Sequence, residues 1–224
     1  IKVVVEKAGR VIGPMLAGGG IVDMDVQRAA GKPGRDAFGR TTLIYGLGRI
    51  TSTKKVEILS DGSSGGPAIV ATTGTDTQHD LINLKSLLKG QAGLDIEFVL
   101  DASKPLPVRT TTYYVLSPGE ERVRVMTAFC NDGASPVTIP LIEMMDIGAF
   151  ELFNPGGCNN GLGTSKEPSC IIDASRWFGS QGDGVAYAIR SYALADPTQP
   201  VKANAVLGYG GVLGAFIEGE SING

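Results

Sequence analysis

The feature that most constrains the fold is a two-residue alternation of apolar and polar side chains that recurs along the chain. Successive side chains of a β strand point to opposite faces of a sheet, so this period is typical of half-buried strands. The alternation and short apolar runs predict strands over residues 41–50, 54–60, 67–73, 94–100, 111–116, 122–130, 137–142, 147–153, 185–192, 203–209 and 212–218. Only residues 80–90 fit a helix about as well as a strand, with Asp80 as a candidate N-cap and Gly90 as a candidate stop.

Turn signals separate these runs and set the fold class. Clusters of Pro, Gly, Asn and Asp occur at residues 32–34, 117–119, 131–133 and 154–157. No helical segments alternate with the strands, so the sequence predicts an all-β fold, a large antiparallel two-sheet sandwich with at most one short helix. No internal repeat or linker divides the 224 residues, which predicts a single domain.

Composition excludes several classes of partner. The 23 acidic and 20 basic residues give a net charge of −3 without long charged blocks, which argues against a nucleic-acid partner. No apolar run approaches the roughly 18 residues of a membrane span. The hydrophobic share of 42% is enough for a sizeable core.

The first residue and the cysteines bear on the cellular location of the chain. The chain begins at Ile1 without a targeting segment, which we interpret as a processed chain or a fragment of a longer protein. Cys158 and Cys170 flank a polar, glycine-rich stretch, so a disulfide closing this loop is predicted, with Cys130 left unpaired. Such a bridge adds about 3 kcal/mol in the chain-entropy model. It favours an extracytoplasmic location, secreted or on the cell surface.

Residues 61–67, Asp-Gly-Ser-Ser-Gly-Gly-Pro, resemble the nucleophile box of chymotrypsin-like serine proteases. A serine nucleophile needs an imidazole within hydrogen-bond reach. The single histidine, His79, follows the box rather than preceding it, and the box is one residue out of register. A turn between two strands is therefore predicted here, and His79 is interpreted as a solvated loop residue rather than a metal ligand or general base.

Carboxylates are the other candidates for chemistry. Asp95 and Glu97 lie two residues apart, about 6.6 Å along a strand, which suits a pair of glycosidase acids or a hard cation such as Ca²⁺. Asp23 and Asp25 repeat the spacing. The solvent-facing side of an amphipathic strand is the preferred interpretation of both pairs. Asp146 lies among apolar residues at a predicted strand boundary, where it either caps a turn, binds a cation or lines a polar pocket. No catalytic residue or cofactor is predicted, and Ca²⁺ is left open.

The aromatic residues suggest a ligand platform. Trp177 and Phe178 are adjacent, and Arg176 precedes them. A tryptophan in a loop at a sandwich edge stacks well on a sugar ring, because its apolar face matches the C–H face of the sugar. The alternative is that Trp177 fills the core. With Asp146, these three residues form the tentative ligand-binding set.

One stretch resembles a known family. Tyr113-Tyr114-Val115-Leu116-Ser117-Pro118-Gly119, followed by Val123-Arg124-Val125, Asn131-Asp132-Gly133 and Val137-Thr138-Ile139, is similar to the middle of galactose-mutarotase-like supersandwich domains, as is the strand entry at residues 182–187. The resemblance covers residues 40–195 and implies a many-stranded antiparallel sandwich, often an accessory or binding region of carbohydrate-active proteins. The epimerases of that family pair a histidine acid with a glutamate base, which His79 in its polar loop does not match.

Three functions follow as hypotheses. The first is a non-catalytic β-sandwich module of a secreted or cell-surface protein that contacts glycans. The second is a structural unit that packs against like subunits or other protein domains through sheet edges and glycine-rich loops, for which the apolar stretch 207–216 is suited. The third is a carbohydrate-active enzyme that uses carboxylates only. The single histidine predicts that the chain is not an enzyme.

Overall fold

The computed structural model describes residues 1–7, 10–12, 15–25, 38–45, 49–76, 105–137, 141–147, 151–153, 170–175, 177–182, 185–190, 203–209 and 212–217. Every regular element in these ranges is a β strand. The strands are β1 (Lys2–Val5), β2 (Arg10–Ile12), β3 (Met15–Ala17), β4 (Ile21–Asp25), β5 (Phe38–Tyr45), β6 (Arg49–Asp61), β7 (Ala68–Asp76), β8 (Val108–Leu116), β9 (Arg124–Asn131), β10 (Leu141–Ile147), β11 (Glu151–Phe153), β12 (Cys170–Ser175), β13 (Trp177–Gly182), β14 (Val185–Arg190), β15 (Ala203–Tyr209) and β16 (Val212–Ile217). The described part of the chain contains no helix long and apolar enough to cross a membrane.

The chain divides into two compact units. The first comprises residues 1–27, 44–139 and 221–224, and the second comprises residues 28–43 and 140–220. In the first unit β1 pairs with β4, β2 pairs with β3, and β6-β7-β8-β9 form a four-stranded sheet in that order, all antiparallel. In the second unit β12-β15-β16-β10 are neighbours in one sheet and β11-β13-β14 form another. The all-β, antiparallel prediction is confirmed, and the single-domain prediction stays a prediction.

A glycine turn attaches the β1–β4 sheet to the four-stranded sheet. Gly19 precedes β4, and its carbonyl oxygen accepts hydrogen bonds from the Tyr114 hydroxyl at 2.6 Å and the Thr72 hydroxyl at 3.3 Å. Thr53 donates to the Gly18 carbonyl oxygen at 2.5 Å. Gly19 has φ of 78°, and a Cβ there would lie 2.6 Å from Thr53 Oγ1. Only glycine therefore allows this close approach, which holds the turn before β4 against the four-stranded sheet.

Threonines line the face of the four-stranded sheet beneath this turn. Thr72 and Thr110 are buried. Thr110 donates to Thr51 at 3.0 Å, and the hydroxyls of Thr112 and Thr127 lie 2.9 Å apart. These hydrogen bonds offset the cost of placing hydroxyls in the core. The same unit buries the apolar side chains of Ile21, Ile50, Val108 and Tyr114.

Strand predictions are confirmed in both units: the predicted runs 185–192, 203–209 and 212–218 fall on β14, β15 and β16 of the second unit. Strands β2 and β3 of the first unit were not predicted. The predicted runs 54–60, 67–73, 111–116 and 122–130 fall on β6, β7, β8 and β9. The predicted strand 41–50 is wrong as a single element, because Tyr45 pairs with Arg49 and Ile44 with Ile50. The chain reverses direction between them. The predicted runs 80–90 and 94–100 lie outside the described residues.

The second unit requires two more corrections. The predicted strands 137–142 and 147–153 are displaced, since the structure has β10 over Leu141–Ile147 and β11 over Glu151–Phe153. The apolar run at 141–147 carries no alternation that would mark its ends, and its extent is set by antiparallel pairing with β16. Strands β12 and β13 were not predicted, because glycine, serine and glutamine in β13 hide its period.

Candidate functional site

The predicted ligand-binding residues lie in strands of two different sheets of the second unit. Trp177 and Phe178 begin β13, where they pair with Arg190 and Ile189 of β14. The prediction that they occupy a loop is therefore wrong. Asp146 lies within β10 opposite Val212, not at a turn between strands. Arg176 lies outside the described residues. The pairing that forms β13 is with strands distant in sequence, which local pattern does not reveal.

The structure describes two of the three cysteines, Cys130 and Cys170. Cys170 is the first residue of β12 and pairs with Gly208, whereas Cys158 lies outside the described residues, so their disulfide stays a prediction. Cys130 is free and exposed.

The serine-rich box is the turn that joins β6 to β7, as predicted. Asp61 Oδ1 accepts hydrogen bonds from the Ser63 backbone N–H at 2.9 Å and from the Ser63 hydroxyl at 2.7 Å. Gly62 and Gly65 have φ of 75° and 83°, which a tight turn requires of them. Because Ser63 hydrogen-bonds the carboxylate, the pKa of Asp61 is lowered. Ser63 therefore fixes the turn.

The remaining carboxylate candidates give no cation site in the described residues. Asp23 lies in β4, and its Oδ2 is 3.8 Å from Lys2 Nζ, with the Asp23 side chain about one-third exposed at 34%. No cluster of three or more metal-ligating side chains occurs in the residues that the structure describes. Asp95, Glu97 and His79 lie outside them.

Strand β9 is the last strand of the four-stranded sheet. It pairs with β8 over eight consecutive residues, Arg124–Asn131, without a register shift. Among the described strands no other pairs with it, so its second edge carries backbone N–H and C=O groups without a strand partner. Ala128 and Cys130 are exposed on one face. The alternation over residues 122–130 predicted this strand, but nothing in the sequence indicated that it lies at an edge.

Two charged clusters mark the ends of β9. At its start, Glu120 Oε1 accepts hydrogen bonds from Arg122 at 2.8 Å and Arg124 at 2.9 Å. The Arg122 guanidinium, aided by Arg124, lowers the pKa of Glu120 to about 2. This end therefore holds the Glu120 carboxylate between two guanidinium groups.

At the other end of β9, Arg109 binds Asp132 through both carboxylate oxygens, at 3.0 and 3.2 Å. The Cys130 thiol lies between them, 3.2 Å from Arg109 Nη2 and 3.3 Å from Asp132 Oδ1. Its hydrogen bond to the Asp132 carboxylate raises the pKa of Cys130, which keeps the thiol protonated at neutral pH.

Strand β6 lies on the other side of the four-stranded sheet, where its first residues, Arg49 and Ile50, pair with β5, and its pairing with β7 is irregular. Its register against β7 shifts between Thr53 and Lys55 and again between Ile58 and Ser60. Ile58 and Leu59, at the second shift, are 73% and 54% exposed. Lys55 and the adjacent Lys54 are exposed, and Lys55 Nζ lies 2.6 Å from Glu57 Oε1. Bulges and lysines are devices that keep an edge strand from pairing.

Comparison with known proteins gives no relative: no family model, curated protein or solved structure matches this chain. The similarity to galactose-mutarotase-like domains stays a prediction from sequence.

Proposed function

We propose that the chain is a non-catalytic β module of a secreted or cell-surface protein, and that it assembles with other protein through the open edge of β9. The observation that carries the proposal is the regular eight-residue pairing of β9 on one side only within the described strands. A strand from a partner that adds to such an edge gains main-chain hydrogen bonds along its whole length.

The side chains of β9 suit this role. From Val125 to Asn131 the strand carries no charge. Lysines, prolines and bulges are absent from it, so the usual features that prevent pairing do not protect this edge. The exposed Ala128 and Cys130 are small, which leaves room for a neighbouring strand.

Three described carboxylates are held by neighbouring side chains and do not suit general-acid catalysis. Asp61 is bound by Ser63, Glu120 by two arginines, and Asp132 by Arg109. The pKa of each is lowered. A general acid in glycoside hydrolysis needs the opposite, a raised carboxyl pKa. Glycan contact at Trp177 rests on the sequence alone.

Light scattering of the chain over a wide concentration range, combined with a glycan-array screen, tests this function. Both are run with reductant, so that chance disulfides through Cys130 do not contribute. We expect a molar mass that rises with concentration and no saccharide binding. Binding to one saccharide class with a constant monomer mass would contradict the proposal and favour the glycan-contacting alternative.

A further inference from the structure

We propose that the partner of the β9 edge is β9 of a second copy of this chain, paired antiparallel about a two-fold axis through Ala128. The inference rests on the proposed function and names its partner. The result is a continuous sheet in which the four strands β6–β9 of one copy join the four of the other.

Symmetry restricts the possible registers. In an antiparallel pair related by a two-fold axis, opposed side chains lie on the same face, so paired residue numbers sum to an even constant. One residue then lies on the axis opposite itself. Interfaces of this closed, isologous kind are the commonest among homo-oligomers.

Charge favours one of these registers. With Ala128 on the axis, Arg124 of each copy lies opposite Asp132 of the other. The Arg124 side chain is 41% exposed beside Glu120, and the Asp132 side chain is 51% exposed beside Arg109, so each remains accessible to a group of the second copy. An axis through Thr127 sets Arg124 against Cys130 instead, and an axis through Phe129 sets Asp132 against Met126. Only the Ala128 axis opposes these two charges directly.

The exposed face also fits this register. Ala128 lies opposite Ala128 of the second copy, and these small side chains allow the two strands to approach closely. Met126 lies opposite Cys130 of the second copy. Strand β9 has no register shift against β8, so the outer edge keeps the even spacing that a second strand needs. Strand β6, with two shifts, does not.

Disulfide trapping tests the register with the chain's own thiol. In Met126→Cys, the new thiol lies opposite Cys130 of the second copy, within the Cα separation that a disulfide spans. Within one copy the two residues are four apart along a strand, about 13 Å, which is too far for a bond. We expect an added oxidant to give a covalent dimer whose linked peptides, identified by mass spectrometry, join residues 126 and 130. The control Ser64→Cys places an equally exposed thiol in the β6–β7 turn and should not give a defined dimer.

A charge substitution tests the axis independently. Ala128→Lys places two ammonium groups side by side on the axis, and we expect the dissociation constant of the dimer to rise at least about tenfold. Ser64→Lys adds the same charge in the turn and should leave association unchanged. Thermal melts of both variants show whether the fold is intact, which is expected because Ala128 and Ser64 are exposed.

The outcomes separate this inference from the proposed function. If the chain associates but neither Met126→Cys traps the dimer nor Ala128→Lys weakens it, the copies meet elsewhere, and the inference fails while the assembly function stands. A constant monomer mass together with saccharide binding would overturn both.

Discussion

The two outer strands of the four-stranded sheet differ along their second edges: β6 pairs with β5 at Arg49 and Ile50, whereas no described strand pairs with that edge of β9. Strand β6 is long, from Arg49 to Asp61, but its register shifts twice and it carries Lys54 and Lys55. Strand β9 is shorter, regular and free of charge between its ends. Edge strands in natural proteins are usually protected from pairing. Residues 51–61 of β6 therefore offer no regular edge, whereas β9 offers one along its whole length, and β9 is the side available to a partner.

The irregularity of β6 has a visible cause in the neighbouring strand. Gly74 of β7 pairs with Thr53, immediately before the first register shift. A Cβ at residue 74 would lie 2.5 Å from the Ser52 carbonyl oxygen. Glycine inside a strand often marks such a close backbone approach. Gly74 therefore permits the bulge that protects β6.

We expect the largest effect on the stability of the sheet from Gly74→Ala. The added methyl group forces the backbone of β6 to move, and we expect a loss of about 2 to 3 kcal/mol in the free energy of unfolding. Urea denaturation measures it. Gly66→Ala is the matched control, because its Cβ would meet nothing closer than Ser64 Oγ at 3.9 Å. Equal stability of the two variants would mean that the bulge does not depend on Gly74.

A smaller effect tests how β9 is held on its paired side. Thr127→Val leaves the Thr112 hydroxyl without its 2.9 Å partner, and we expect it to cost about 1 kcal/mol of unfolding free energy. The double variant Thr112→Val/Thr127→Val removes both hydroxyls and should recover most of that loss. A double-mutant cycle from urea denaturation gives the coupling, and additive losses would argue against this hydrogen bond.

Replacing Lys54 and Lys55 tests whether these side chains keep β6 from pairing with another strand. Lys54→Thr/Lys55→Thr should leave stability nearly unchanged, since both side chains are exposed. Loss of like-charge repulsion at that edge should lower the concentration at which the mass rises by about threefold. Sedimentation velocity measures this shift. An unchanged association curve would show that the bulges alone protect β6.

The smallest expected effect is on the free energy of unfolding at low pH. The pKa of Glu120 lies at about 2, below its ordinary 4.5, because Arg122 and Arg124 bind the carboxylate. Its stabilising contribution is therefore complete above about pH 4.5 and is lost as the pH falls towards 2. In Glu120→Gln we expect a flatter fall in unfolding free energy across that interval. A fall identical to that of the unchanged chain would contradict the role of this ion cluster.

The long strands β6 to β9 of the first unit were predictable, but the sheet edges were not. In β8, for example, the buried Val108 and Thr110 lie on either side of the exposed Arg109, and this alternation marks a half-buried strand. Which strand lies at an edge depends on pairing between distant residues, and the first register shift of β6 lies next to the pair formed by Thr53 and the distant Gly74. Local pattern carries neither.

The candidate site shows the same limit. Trp177 and Phe178 were predicted as ligand-binding residues because they are adjacent aromatic residues. They belong to β13, and its pairing with β14 is visible only in the fold. The charged clusters at the ends of β9 join residues such as Arg109 and Asp132, which are 23 positions apart. Antiparallel pairing brings them together, and no spacing rule in the sequence would have selected them.

Hydrogen exchange of the backbone amides, measured at low and high protein concentration, shows which edge of the sheet pairs between copies. We expect amides of residues 124–131 to exchange markedly more slowly at high concentration, while those of residues 54–60 in β6 do not change. Equal exchange of β9 at all concentrations, or slowing confined to β6, would contradict this expectation.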